Sequence, residues 1–165
     1  MNENLYRKIS DPIKASKNGV RLINLLNKLT TGLVYITYPV VLFWLGYKKD
    51  SRFLATLLIP AVSFIVVSIF RSYINFSRPY EQLDIEPIIK KDTVGNSFPS
   101  RHVFSVFVIA MTLYYISKPL GLTLMLVGLL ISLIRVIGGV HFPRDVIAGA
   151  IIGILSGILG YNILN

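Results

Sequence analysis

The sequence predicts an all-α, polytopic membrane helical bundle of about five transmembrane helices, preceded by an N-terminal amphipathic interfacial helix. Three observations lead there. The 165 residues are 53% hydrophobic and only 15% charged, where ordinary soluble domains carry about 25% charge. The apolar residues gather into runs close to the roughly 20 residues that a helix needs to cross a bilayer. The charges gather in the links between those runs. The length suits one domain, residues 1–165. The absence of cysteine removes disulfides and thiolate metal sites from consideration.

Residues 1–30 carry six basic side chains, Arg7, Lys8, Lys14, Lys17, Arg21 and Lys28. Between about Ile13 and Leu29 the apolar positions Ile13, Val20, Ile23, Leu26 and Leu29 recur at helical intervals. The segment is too charged to span and reads as a helix lying in the interface. The first span is expected from Leu29 to Tyr47, with Trp44 and Tyr47 suited to the headgroup level. The second runs from Phe53 to Phe70 with Pro60 inside it. Val103 to Ser117 and Leu120 to Ile134 are shorter, separated by a turn at Lys118-Pro119, and gain length by drawing helix from the adjacent polar links. Val146 to Asn165 is the fifth. It carries Gly149, Gly153 and Gly157 at every fourth position, a small-residue stripe for close helix packing. The polar stretch from Tyr80 to Gly95, with Glu81, Asp84, Glu86, Lys90, Lys91 and Asp92, reads equally as a lid over a site or as a solvated linker.

Three polar islands carry the candidate chemistry. In the first, Arg71 and Arg78 are seven apart. That spacing places both on one face of a helix that Pro79 then ends. Two arginines side by side can clamp an oxyanion; equally, arginines near a span end can snorkel to the interface. In the second, Ser100 is placed to cap the third span, with Arg101 and His102 in its first turn. The free N–H groups there favour an anion; a plain capped helix start is the alternative. In the third, Arg135, His141 and Asp145 follow one another. A helix beginning near Pro143 sets Asp145 in its first turn, within reach of His141, as a structural pair or as an orienting pair of an active imidazole. The islands end span two, begin span three, end span four and begin span five, so two hairpins bring all of them to one membrane face. The net charge of +9 then divides between membrane anchors and phosphate binding. Nucleic acid is excluded as a partner, since no basic soluble surface is left to hold it.

These residues resemble the signature of the type 2 phosphatidic acid phosphatase superfamily, which includes the vanadium haloperoxidases: K-x6-R-P, P-S-G-H and S-R-x5-H-x3-D. The chain has Arg71-x6-Arg78-Pro79, Pro99-Ser100-Arg101-His102 and Arg135-x5-His141-x3-Asp145, covering residues 71–145. It departs in three places: Arg71 stands for Lys, Ile134 for Ser, and Arg101 for Gly, adding bulk and charge at the pocket rim. The family's usual first span is replaced by the amphipathic segment.

The resemblance implies a catalytic set of His141 as nucleophile, Asp145 as its orienting carboxylate and His102 as acid and base. It implies a phosphate-binding set of Arg71, Arg78, Ser100, Arg101 and Arg135. It implies no cofactor and no metal, and hard cations would want more oxygen ligands than this sequence offers there. The expected function is a membrane phosphatase acting on a lipid phosphate or diphosphate. The classes compatible with the residues are undecaprenyl diphosphate, phosphatidic acid and phosphatidylglycerol phosphate. A phosphotransferase of the same fold and a non-catalytic binder of anionic lipid are the alternatives. The expected setting is the plasma membrane with the site facing away from the cytoplasm; the residues leave the oligomeric state open.

Overall fold

The computed structural model describes residues 1–91 and 93–164. Asp92, counted above with the polar loop, and Asn165, counted as the end of the fifth span, lie outside the described residues. The described residues form seven helices and no strand: α1 Glu3–Ala15, α2 Gly19–Tyr47, α3 Phe53–Ile74, α4 Pro79–Gln82, α5 Arg101–Ile116, α6 Lys118–Ile137 and α7 Pro143–Leu164.

Helices α2, α3, α6 and α7 are long and apolar enough to cross a membrane, and α5 is a shorter apolar helix of 16 residues. The five runs expected from composition are therefore the five apolar helices of the bundle. Helix α5 is its centre. It packs against α3, α6 and α7, and Val103, Phe104 and the run Val106–Leu113 are all buried. The outer helices turn large side chains outward, among them Phe43, Ile69, Leu126 and Ile163, which are more than half exposed. That inversion suits a hydrocarbon surround, where apolar side chains need no cover but backbone groups must be paired within helices.

The small-residue stripe brings α7 onto α5. A Cβ at Gly149 would meet the Ser100 carbonyl oxygen at 2.8 Å, and one at Gly153 would meet the Phe104 carbonyl oxygen at 2.7 Å. Any side chain there would hold the two backbones apart.

The N-terminal region differs from expectation. The helical pattern of residues 13–29 is broken at 16–18, where Ser16 is extended and Gly19 N–H closes a turn onto the Ser16 carbonyl. The turn needs glycine, because a Cβ at Gly19 would lie 2.2 Å from the Ile13 carbonyl oxygen. The amphipathic helix is therefore α1, from residue 3, and residues 19–29 are the first turns of the helix that continues into the first span. Helix α1 packs on the polar loop: the Arg7 guanidinium donates to the Asp84 carbonyl at 2.7 Å and the Lys14 ammonium to the Glu86 carbonyl at 2.6 Å.

The first island also differs. Helix α3 ends at Ile74 because Asn75 takes the left-handed conformation, which asparagine tolerates better than most residues. Pro79 opens α4 and does not close α3. Arg71 and Arg78 thus sit on two elements and not on one helical face.

Candidate active site

Asp145 lies in the first turn of α7, four residues after His141. Its Oδ2 accepts from the Ser97 hydroxyl at 2.5 Å and from the Phe142 N–H at 3.0 Å. The His141 Nδ1 lies 3.6 Å from that oxygen and 3.4 Å from the Ser97 hydroxyl. The separation from the carboxylate exceeds a hydrogen bond, so the contact is electrostatic. With Nδ1 turned to Asp145 and Ser97, Nε2 is the uncommitted ring nitrogen. The His141 ring is only 1% exposed. Burial, reinforced by the charge of Arg78, holds its pKa down to about 4 against the opposing pull of Asp145. The imidazole is therefore neutral at ordinary pH, the state in which a ring nitrogen can attack.

The chain reaches this geometry by a short link. Gly139 takes a positive φ of 75°, and the Val140 and His141 N–H groups both donate to the Arg135 carbonyl, at 3.2 and 3.3 Å. The start of α5 is joined to the start of α7 by the Ser100 N–H, which donates to the Asp145 carbonyl at 2.9 Å. The second and third islands are thus one unit.

His141 lines a cavity of about 430 Å³ with Arg71, Arg78, Arg101, His102 and Lys91. Arg71 and Arg78 are buried. Arg71 donates to the carbonyls of Pro99 and Asn96. Arg78 donates to those of Gly95 at 2.9 Å, Val140 at 3.2 Å and Asn96 at 3.4 Å. Both arginines therefore meet at the Asn96 carbonyl, although they belong to different elements. Glu81 fixes the frame around Arg78, accepting from the Arg78 N–H at 3.3 Å and from the Gly95 N–H at 2.7 Å.

Of the eight residues the sequence singles out, Arg71, Arg78, Arg101, His102 and His141 line the cavity, and Asp145 stands behind His141. Ser100 and Arg135 are buried and do not line it. Ser100 occupies the N-cap position of α5, but its hydroxyl makes no capping bond. The Ser100 hydroxyl and the Arg135 Nε both lack a hydrogen-bond partner among the described residues. Buried groups of this kind are costly unless something later satisfies them.

Of the two readings its composition allows, the polar loop is not a plain solvated linker, because it packs on the bundle and walls the cavity. The Tyr80 hydroxyl donates to the Thr93 carbonyl at 2.6 Å and the Ile89 N–H to the Gly138 carbonyl at 3.2 Å. Ile88 and Ile89 are buried against Ile23, Ile134 and Val140. Lys91, Thr93, Val94 and Asn96 form part of the cavity wall. Sequence reasoning gave no role to Ser97 or Lys91. A signal existed for Ser97: a hydroxyl inside a buried polar island must find a partner. Lys91 carries no such mark, since its place depends on the path of the loop.

In class, this is a membrane-embedded helical bundle with a histidine–carboxylate pair at an arginine-walled cavity. The PAP2 superfamily profile matches residues 51–165, and the chain belongs to that family. It is 30% identical to the undecaprenyl-diphosphatase of Sulfolobus acidocaldarius over 154 residues, 92% of this chain and 73% of that protein. It is 27% identical to the bacitracin transport permease protein BcrC of Bacillus licheniformis over 129 residues, 76% of this chain; the match spans 63% of BcrC. The crystal structure of Aquifex aeolicus LpxE superposes with a TM-score of 0.76 at 28% identity, over 98% of this chain and 94% of that one.

Proposed function

We propose that this protein is an integral membrane phosphatase that hydrolyses a lipid phosphate or diphosphate through a phosphohistidine on His141. The observation that carries the reading is the buried His141, with Nδ1 turned to a carboxylate held by Ser97 and Phe142, in a cavity walled by Arg71 and Arg78. Nε2 attacks phosphorus, forming a P–N bond as the bond to the leaving oxygen breaks. The leaving oxygen takes a proton from His102. Water then attacks the phosphohistidine, His102 accepts its proton, and phosphate and free His141 are regenerated. Arg71 and Arg78 offset the growing negative charge on the phosphoryl oxygens. Arg135 Nε and the Ser100 hydroxyl, without partners among the described residues, lie behind the cavity wall and serve as further donors once a bound anion draws them to it.

The reading assigns charge stabilisation to arginine and requires no metal. Among the described residues no three His, Cys, Asp or Glu side chains gather as a metal site. The substrate classes considered are undecaprenyl diphosphate, phosphatidic acid and phosphatidylglycerol phosphate; the Sulfolobus acidocaldarius relative carries the first in its name. The setting proposed is the plasma membrane, with the site facing away from the cytoplasm.

The test is phosphate release from purified protein against these lipids, with and without EDTA and with and without an alcohol acceptor. Release that persists in EDTA, is lost in His141→Ala, and is accompanied by an acid-labile phosphate on His141 supports the reading. Near-normal release by His141→Ala, or loss in EDTA restored by Mg²⁺, overturns it. Transfer to the acceptor in preference to water would make the protein a phosphotransferase.

A further inference from the structure

The cavity holds four cations, and they are not equivalent. Arg71 and Arg78 are buried and already donate to backbone carbonyls. Arg101 is exposed and Lys91 half-buried, so this second pair stands nearer the mouth. The Arg101 guanidinium lies over the Phe64 ring, 5.5 Å from its centroid, a contact that leaves its N–H donors uncommitted. No ion pair joins either mouth cation to a described carboxylate. Burial, with the like charges of Arg78, Arg135, Arg71 and Arg101, pushes the Lys91 pKa down to about 8. Such crowding is relieved by a multiply charged anion.

A second, smaller cavity of about 130 Å³ adjoins the first. It is lined mainly by apolar side chains between α2, α3, α5 and α6, including Val34, Phe64, Val106 and Ile131. Arg101 and His102 are the two residues that line both cavities. Arg101 therefore stands where a lipid chain would meet its phosphate, one step outward from the phosphate position at His141.

We propose that Arg101 and Lys91 form a second anion subsite that selects a lipid diphosphate, holding the phosphate joined to the lipid while His141 takes the terminal phosphoryl group. The inference rests on the phosphatase reading and refines its substrate class. In the step it describes, His141 Nε2 forms a bond to the terminal phosphorus as the bridging P–O bond breaks. The electron pair stays on the bridging oxygen, which leaves as part of the lipid monophosphate. Arg101 and Lys91 offset the charge that builds on that leaving phosphate. A monophosphate substrate places its only phosphate at His141 and leaves the mouth pair unused.

The experiment compares wild type, Arg101→Gln and Lys91→Met in detergent. Calorimetric binding of inorganic pyrophosphate is set against binding of orthophosphate. Hydrolysis of farnesyl diphosphate is set against hydrolysis of farnesyl monophosphate. Wild type is expected to bind pyrophosphate at least about 10-fold more tightly. Each variant is expected to lose about 10- to 100-fold in its preference for the diphosphate over the monophosphate probes, the range for hydrogen bonds to a charged group. Equal binding of the two anions by wild type overturns the subsite, as does a preference that both variants keep, or an equal loss on both probes. A pyrophosphate preference without hydrolysis of either lipid would keep the subsite and remove the phosphatase reading. Hydrolysis of both lipids by a protein with no anion preference would do the reverse.

Discussion

At the scale of single residues, the motif spacings picked out most of the charged side chains that line the candidate cavity. The pairing of His141 with Asp145 followed from four residues of separation and a helix beginning at Pro143. Ser97 did not follow, because it meets Asp145 only after 48 residues of chain have folded back. Ser97 is a positioning residue in the proposed mechanism, and its removal separates positioning from mere structure. In Ser97→Ala the Asp145 carboxylate loses a donor and bears more of its charge on His141, so the imidazole pKa rises. Because His141 reacts in its neutral form, wild-type kcat/KM is expected to fall as the pH drops through about 4, and a separate fall is expected at higher pH where His102 loses the proton it must give. In Ser97→Ala the acid-side fall begins at higher pH, and kcat drops by about 10-fold or more, by analogy with lost orienting partners in metal sites. The check is a pH–rate profile for both proteins. An unmoved acid limb with a lower plateau would mean that Ser97 only supports the fold.

At the scale of elements, the five apolar helices were legible because length and apolar composition alone define a bilayer span. Two boundaries were not legible, for related reasons. Arg71 and Arg78 have helical spacing, yet Asn75 stops the helix between them. Residues 13–29 have helical periodicity, yet a tight turn at residues 16–18 interrupts it. Periodicity reports which face is apolar, and a single left-handed or extended residue can end a helix without disturbing that pattern. The glycine stripe was legible because backbone contact between helices requires it. Its energetic meaning is testable by contrast with a glycine that has room. A Cβ at Gly153 would lie 2.7 Å from the Phe104 carbonyl oxygen and 2.9 Å from the Val108 nitrogen, both backbone atoms of the central helix. Gly153→Ala is expected to destabilise by about 1–3 kcal/mol, the usual cost of overpacking. A Cβ added at Gly32, inside α2, would meet nothing within 4 Å. Gly32→Ala is expected to be neutral or to stabilise by up to about 1 kcal/mol, as a helix-interior glycine replaced by alanine. Thermal unfolding in detergent should lower the midpoint for the first and not for the second; the same shift in both would contradict the close approach of α5 and α7.

At the scale of the whole molecule, the five apolar helices place the two ends of α2 on opposite faces. The site and α1 share one of them, since Arg7 and Lys14 are bound by the carbonyls of the loop that walls the cavity. Lys48, Lys49 and Arg52 lie in the turn between α2 and α3, and Lys118 begins α6, at the other end of the bundle. The six basic residues of the N-terminal segment pull the site toward the cytoplasm, and the turn charges pull it away. Two of the six are engaged by the loop, so part of the N-terminal charge serves to hold α1 against the site. Arg71, Arg78 and Arg135, assigned to anion binding in the proposed function, are left out of the count. With all of these set aside, Lys8, Lys17, Arg21 and Lys28 on the site side balance Lys48, Lys49, Arg52 and Lys118 at the other end, so the count alone does not orient the chain, and the outward-facing site is the proposed setting that labelling tests. Because the chain has no cysteine, orientation can be read from single introduced thiols in intact cells. Glu86→Cys lies on the site-side loop, where residue 86 is exposed, and is expected to react with a membrane-impermeant reagent. Lys48→Cys lies in the exposed turn after α2 and is expected to react only after the membrane is opened. The opposite pattern would put the cavity in the cytoplasm, leaving the N-terminal charges as the dominant signal and excluding substrates presented on the outer leaflet.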